Sequence, residues 1–296
     1  MPPRRGVSPY DLLLAPFVDF GFMRRALVGC VALALGSAPV GVFLMLRRLS
    51  LTGDAMAHAI LPGAAVGFLV AGLSLPAMTL GGLVAGLLVA LLAGAVSRVT
   101  LLREDATLAS FYLISLATGV LIVSLRGSNV DLMHVLFGSV LALDDQALLL
   151  LAGIATVTML TLALLWRPLV LECVDAQFLR SVSRTSGLAH AALLALVVVN
   201  LVGGFQALGT LLAVGLMILP AASARFWTRD LAPMILLAAL FGLSAALCGL
   251  VLSFHAAVPT GPAMVIAAGV GWLLSVLFGS AGGLVPRLWP ARHFEA

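Results

Sequence analysis

The sequence has very little charge for its length. Only 9% of its 296 residues are Asp, Glu, Lys or Arg, whereas 62% are hydrophobic. A soluble domain carries about 25% charged residues, so this chain has too few of them to cover a surface that faces water. Disorder is excluded as well, because disordered chains are polar and rich in charge. The composition therefore predicts an integral membrane protein that lies mostly in the lipid bilayer.

Lysine is absent altogether, and all 16 basic residues are arginine. A Walker-type phosphate-binding loop needs a lysine after its glycines, so we expect no ATPase site in this chain. The arginines stand singly or in pairs at the ends of apolar runs, which is typical of membrane proteins and argues against nucleic-acid binding. The sequence also lacks HExxH, GxSxG and CxxC strings, which disfavours an intramembrane enzyme and a cysteine-based zinc site.

Long apolar runs occupy most of the chain. A transmembrane helix needs about 20 apolar residues, and these runs are too continuous for the strands of a membrane barrel. We expect an all-α polytopic membrane protein with nine transmembrane helices, or eight, because the sixth run is short and ends at Gly203 and Gly204. The predicted spans are 26–46, 54–73, 76–96, 106–125, 146–166, 188–202, 208–226, 231–254 and 261–279.

The flanks of the apolar runs suggest the domain organisation. Residues 10–22 mix apolar side chains with two aspartates, which indicates either an interfacial helix or the ragged start of the first span. We therefore expect an N-terminal interfacial segment (1–25), a single transmembrane domain (26–286) and a cytoplasmic tail (287–296).

Arginine placement predicts the orientation. If the turn at Arg47 and Arg48 is cytoplasmic, nine spans put eleven arginines inside, these two included, and only Arg126 outside, as the positive-inside rule requires. The arginines before the first span disagree, since they would fall outside. The longest cytoplasmic stretch is then 168–187, and the largest outward loop is 126–145, where we expect a short non-spanning helix.

Two polar side chains interrupt the start of the second apolar run. Asp54 and His58 are four residues apart in LTGDAMAHAILPG, so on a helix they share one face. A carboxylate and an imidazole one turn apart can both bind a divalent cation, and a charge at membrane depth is a functional candidate because it is costly. The alternative is structural, with Asp54 as a helix N-cap and His58 as a donor within the bundle.

One chain supplies only these two ligands, whereas two copies that face each other across a two-fold axis supply four. Four nitrogen and oxygen ligands suit zinc, and added water would also suit manganese. We expect zinc ahead of manganese because imidazole favours zinc. A second and weaker candidate is the pair Asp131 and His134 in the outward loop, as a place where metal enters.

Two further motifs combine proline with small residues. GTLLAVGLMILPAASAR (209–225) places Pro220 among residues that allow close helix packing, and VPTGPAMVI (258–266) begins the last span with two prolines. Broken helices of this kind often line transport pathways, although ordinary bundle packing uses the same residues.

Together these motifs resemble one known family. GDAMAHAILPG, GTLLAVGLMILPAASAR and VPTGPAMVI, in this order and spacing, are similar to the permease subunits of zinc/manganese-type ABC importers, and the resemblance runs from about residue 22 to about residue 279. It implies metal binding by Asp54 and His58, no permanently bound cofactor, and a prokaryotic cytoplasmic (inner) membrane. It also implies three kinds of protein partner: a second copy of the chain, cytoplasmic ATPase subunits and an extracytoplasmic metal-binding protein.

The resemblance further implies a coupling segment, a short cytoplasmic helix on which the ATPase subunits act, at about residues 172–187. Asp175 and Phe178 match the family pattern there and are the expected ATPase contacts. The chain departs from the pattern twice. Residues 181–183 read Ser-Val-Ser where the family usually has Ala-x-Gly, and Ala257 replaces an acid that usually precedes Pro-Thr-Gly by two residues, so we expect no metal ligand at position 257.

A transporter of another class is the alternative, namely a proton-driven secondary metal transporter with Asp54 or His58 as the proton relay. Such transporters are often built from inverted repeats, and the sequence shows no convincing one. ATP-driven import of a divalent transition metal, with ATP hydrolysed by partner subunits, is therefore the favoured function.

The missing lysine gives a first prediction. Purified without partner proteins, the chain should release no phosphate from ATP above background, because it lacks the nucleotide loop. A phosphate-release assay on the purified chain measures this, with the complete importer as the positive control. Hydrolysis that persists after removal of every co-purifying ATPase would contradict the prediction.

Overall fold

Helices make up nearly all of the described chain. The computed structural model describes residues 10, 14–72, 74–101, 104–126, 140, 143–175, 178, 179, 181, 183 and 185–288. Within these residues there is no strand, in agreement with the predicted all-α class. The helices are α1 (Ala15–Asp19), α2 (Gly21–Leu46), α3 (Ser50–Ala71), α4 (Leu75–Val99), α5 (Glu104–Arg126), α6 (Asp145–Leu164), α7 (Trp166–Val174), α8 (Thr185–Leu208), α9 (Thr210–Ala224), α10 (Leu231–Ala256), α11 (Thr260–Phe278) and α12 (Leu284–Leu288).

Eight of the described helices are long and apolar enough to cross a membrane, which confirms a polytopic membrane protein. The ninth apolar helix, α9, has only 15 residues and is about 22 Å long, less than the roughly 30 Å of a bilayer core. Nine of its 15 residues are buried against neighbouring helices.

The position of the short helix differs from the prediction. The sixth run was expected to break at Gly203 and Gly204, but α8 continues through both. A Cβ on Gly203 would collide with Ile154, and a Cβ on Gly204 would lie 2.6 Å from Ala213, so these glycines allow close packing on α6 and α9. The break falls at Gly209, whose φ of 95° is readily adopted only without a side chain.

The N-terminus contains a separate short helix. Phe20 is extended, with φ −116°, and divides α1 from α2. The first long helix begins at Gly21 rather than at residue 26, so residues 21 and 22 of the 10–22 segment belong to it, whereas 15–19 form a separate short helix. The Phe20 ring lies 5.4 Å from the Phe254 ring near the end of α10, which holds this junction against the bundle.

Two ion pairs define the ends of the bundle. Arg47, just after α2, contacts Glu172 of α7 and His190 of α8, and we name this the Arg47 end. Arg25, near the start of α2, lies 3.2 Å from Asp145 at the start of α6, and we name this the Arg25 end. Arg25 therefore lies at the opposite end of α2 from Arg47, beside an acid.

Helix α3 is held between α4 and α5 by very close approaches. The backbones of Gly63 in α3 and Gly81 in α4 touch, so that a Cβ on either would collide with the carbonyl of the other. On the other side, Gly119 of α5 faces Pro62, and the Ser115 hydroxyl donates to the carbonyl of Ala59 at 3.0 Å. Small residues permit this packing in membranes, where dispersion replaces the hydrophobic effect as the attraction between helices.

The α3–α4 contact gives a prediction about stability. Gly81→Ala should destabilise the protein by about 1–3 kcal/mol, the usual cost of overpacking, because the new methyl group meets the Gly63 carbonyl. Gly153→Ala is the matched control, since nothing lies within 4 Å of a Cβ there. Thermal unfolding in detergent should show a lower midpoint for Gly81→Ala only, and equal midpoints would contradict the close approach.

Candidate functional site

Asp54 and His58 lie on one face of α3, near the Arg47 end. The helix begins at Ser50, so the two residues occupy its second and third turns. Asp54 Oδ1 is 3.9 Å from His58 Nε2, and the side chains are 67% and 36% exposed. The N-cap of α3 is Leu49, which excludes the alternative that Asp54 caps the helix.

The distance between the two side chains suits a shared cation. With bonds of about 2.1 Å to zinc, two donors of a tetrahedral site are about 3.4 Å apart, so the observed 3.9 Å needs only a small side-chain adjustment. Among the described residues, no group of three or more His, Cys, Asp or Glu side chains could hold a metal. In the described part of one chain the pair is therefore an incomplete metal site.

Two neighbours shape the environment of His58, and sequence reasoning did not anticipate one of them, Tyr112. The Tyr112 ring of α5 lies 6.4 Å from the His58 ring, tilted by 31°, and limits the movement of the imidazole on that side. Pro62 lies four residues after His58 in the helix and has no N–H, so the His58 carbonyl lacks its usual helical hydrogen bond.

The predicted coupling segment is held by a capped turn. Asp175 ends α7, and its Oδ1 accepts a hydrogen bond from the Phe178 N–H at 2.8 Å. Phe178, Leu179 and Ser181 are helical. The Leu179 side chain is buried at 3% exposure, whereas Phe178 is 55% exposed. The turn is therefore anchored through Leu179 and presents Phe178 on the surface.

The segment is shorter than the loop that the sequence suggested. Residues 166–174 form α7, so Glu172 and Cys173 belong to a helix, and residues 185–187 already belong to α8. Burial raises the pKa of the Cys173 thiol to about 11, while Arg47 opposes this shift and Glu172 adds to it. Cys173 is therefore a neutral thiol packed beside charged neighbours.

Sequence reasoning missed a buried polar cluster at the Arg47 end. Arg47 Nη1 lies 2.8 Å from His190 Nδ1, and Arg47 Nη2 lies 3.7 Å from Glu172 Oε1. The Ser186 hydroxyl donates to Glu172 Oε2 at 2.7 Å. Glu172, an acid within the largely apolar stretch that forms α7, is the one sequence feature that indicates a buried polar contact here. Arg47 indicates only the orientation of the chain in the membrane.

The last motif lies toward the Arg25 end of the bundle, where Phe254 near the end of α10 meets Phe20. Asp131 and His134 fall outside the described residues. Ala257 ends α10 with φ 51°. The Ser253 hydroxyl donates to the Val258 carbonyl at 2.7 Å and lies 2.8 Å from the Thr260 hydroxyl, so a hydroxyl pair closes the turn between α10 and α11.

Comparisons with known proteins agree with this architecture. Residues 19–279 match the family model of the ABC 3 transport family. The manganese import system permease protein ScaB of Streptococcus parasanguinis is 32% identical over 89% of this chain and 94% of its own length. The zinc transport system membrane protein TroC of Treponema pallidum is 33% identical over 95% of this chain and 96% of its own length.

A solved structure shows the same fold. PsaBC from Streptococcus pneumoniae, in complex with a Fab, superposes with a TM-score of 0.78 at 28% identity, covering 90% of this chain and 95% of the matched one. The resemblance seen in the three sequence motifs is thereby confirmed, and the chain belongs to the ABC 3 transport family.

Proposed function

We propose that this chain is the membrane permease of an ATP-driven importer that moves a divalent transition metal, zinc or manganese, through a site shared by two copies. The observation that carries the proposal is the exposed Asp54 and His58 pair on a membrane helix. The relatives add support, since ScaB is named for manganese and TroC for zinc. Their identities to this chain are nearly equal and do not favour either metal.

The face of α3 that carries the pair needs a cover that the described part of the chain does not provide. Leu51, at the matching helical position, is 82% exposed, so the uncovered strip extends to the start of the helix. Leaving Asp54 ionised against lipid is costly, up to roughly 3.5 kcal/mol, which is the value on insertion scales for an aspartate at the centre of a membrane helix. A second copy, related by a two-fold axis along this face, removes the pair from lipid and completes the site.

Two copies give a ligand set that matches a divalent cation. Two carboxylates balance the two positive charges, and two imidazoles supply the nitrogen ligands that zinc accepts readily. With water added, the same donors suit manganese. The cation thus crosses the apolar bundle with its charge neutralised, which lowers the cost of holding it at membrane depth.

Transport then requires two conformations that bind the cation differently. A ligand shifts a conformational equilibrium only by its difference in affinity between the two states. In the proposed cycle the Asp54 and His58 pairs of the two copies converge on the cation in one state and separate in the other. The ATPase subunits drive the change, because this chain has no nucleotide loop of its own.

The coupling segment is the proposed place where the ATPase subunits act. Arginine bias makes the Arg47 end cytoplasmic, and the segment lies there, between α7 and α8. Its exposed Phe178 offers an apolar side chain to a partner surface, and Asp175 fixes the turn that presents it. An extracytoplasmic metal-binding protein would deliver the cation at the Arg25 end, and the assembly would lie in the cytoplasmic membrane.

The metal site is tested by two single substitutions. Asp54→Asn keeps the shape of the side chain and removes both carboxylate charges of the dimer, and His58→Ala removes both imidazoles. Each should reduce uptake of radioactive zinc and manganese into proteoliposomes by at least about tenfold, because one of the two proposed metal ligands is lost from each copy. Asp230→Asn, the same change at an exposed acid near the Arg47 end, is the control.

Assembly with the ATPase subunits is checked on the same samples by size-exclusion chromatography. Wild-type uptake by both metal-site variants would exclude these residues as ligands. Uptake that needs no ATPase subunit, driven by a proton gradient alone, would instead indicate the secondary transporter.

The role of Asp175 in the coupling segment is tested by substitutions that separate its capping hydrogen bond from its negative charge. Asparagine caps a helix about as well as aspartate, whereas alanine does not. Asp175→Asn should therefore retain the wild-type number of cations transported per ATP hydrolysed, and Asp175→Ala and Phe178→Ala should lower it. If Asp175→Asn is as damaging as Asp175→Ala, the carboxylate charge itself contacts the ATPase and the capping explanation is wrong.

A further inference from the structure

Four polar side chains form a buried cluster between the coupling segment and the start of α3. The Arg47 cluster consists of Arg47, Glu172, Ser186 and His190. The Arg47 and Glu172 side chains are 9% and 1% exposed, and Ser186 and His190 are buried. Neither the proposed metal site nor the proposed ATPase contacts use these residues, so the burial of two charges needs another explanation.

The cluster connects the elements that the transport cycle must move together. Arg47 lies in the short turn between α2 and α3, directly before the helix that carries the metal ligands. Glu172 lies in the last turn of α7, which leads into the coupling segment, and His190 lies in the second turn of α8, which follows it. Arg47 therefore contacts both flanks of the coupling segment from the base of the metal-site helix.

The hydrogen bonds in the cluster are uneven. A guanidinium has donors only, so the 2.8 Å contact between Arg47 Nη1 and His190 Nδ1 makes Nδ1 an acceptor and places the imidazole proton on Nε2. The 3.7 Å between Arg47 Nη2 and Glu172 Oε1 exceeds hydrogen-bond distance. Among the described residues, Glu172 Oε1 has no hydrogen-bond partner, although Oε2 accepts from Ser186.

Arg47 thus lies beside two acceptors on different helices, His190 Nδ1 and Glu172 Oε1. Of these two, only His190 is within hydrogen-bond distance. A relative shift of about 0.8 Å would bring Arg47 and Glu172 to the usual 2.9 Å of a hydrogen bond. The buried carboxylate oxygen would then gain a charge-assisted bond, which offsets a weakened contact to His190. Two packed arrangements of similar energy are what a coupling element requires.

We propose that Arg47 is a positioning residue that transmits movement of the coupling segment to α3 by shifting its hydrogen bond between His190 and Glu172. Since both charges are buried, separating them fully would leave each uncompensated, so α7 and the α2–α3 turn stay close together as they shift. The inference rests on the proposed function, because it needs the ATPase subunits at the coupling segment and the metal on α3.

The test uses the complete importer in proteoliposomes, with zinc or manganese uptake and ATP hydrolysis measured on the same preparation. Glu172→Gln removes the charge and keeps an oxygen that accepts from Ser186. Hydrolysis should continue while the number of cations moved per ATP falls about tenfold, within the usual range of coupling between sites. Arg48→Gln is the control. It removes an arginine charge beside Arg47, but from an exposed side chain, and it should leave the number of cations moved per ATP unchanged.

A double variant separates transmission from simple stabilisation. Arg47→Gln with Glu172→Gln leaves no unpaired buried charge, so its thermal midpoint should recover relative to either single variant. If Arg47 transmits movement, the ratio of cations to ATP stays low in the double variant. If the ratio returns to the wild-type value, or never falls in Glu172→Gln, the inference is overturned and the cluster only stabilises the fold.

A failure of the proposed function can be distinguished from a failure of the inference about Arg47. An unmodified importer that hydrolyses ATP and moves neither metal would overturn that function, and this inference with it, before any substitution is made. An unmodified importer that moves metal, combined with normal ratios in all the cluster variants, would overturn this inference alone.

Discussion

Asp54 and His58 stand on a membrane helix whose polar face the described part of the chain leaves uncovered. An ionised carboxylate is expensive against lipid, and a two-residue ligand set is incomplete for zinc or manganese. Both problems have the same solution, a second copy that faces the first along α3. The requirement to cover and complete this pair is the constraint from which the proposed dimer, the metal path and the choice of cargo all follow.

The rest of the bundle keeps α3 in place while leaving that face open. On its buried sides, Gly63 meets Gly81 and Pro62 meets Gly119, so α3 cannot tilt freely against α4 or α5. At its base, Arg47 ties the turn before α3 to the helices on both flanks of the coupling segment. Under the proposed function, a helix held at these points and linked at one end to buried charges would move as a rigid element, as a site that opens and closes requires.

The sequence predicted what depends on local periodicity and missed what depends on long-range contacts. The apolar runs predicted the helical membrane fold, and four-residue spacing predicted that Asp54 and His58 share a face. The apolar pattern predicts that the second span starts at Asp54, which allows Asp54 to cap the helix. The structure begins α3 at Ser50 and so excludes this alternative. Glycines 203, 204 and 209 look alike in sequence, since glycine serves both close packing and turns. The Arg47 cluster joins residues far apart in the chain, and no local pattern marks such a contact.

If one cation is shared by two chains, the number of cations bound per permease chain is one half, and this number can be measured. Detergent-purified importer with its ATPase subunits would be equilibrated with zinc or manganese, freed of unbound metal and analysed by atomic emission. We expect one tightly bound cation for every two permease chains. One cation per chain, or the same stoichiometry and affinity after His58→Ala, would contradict a site shared across the two-fold axis.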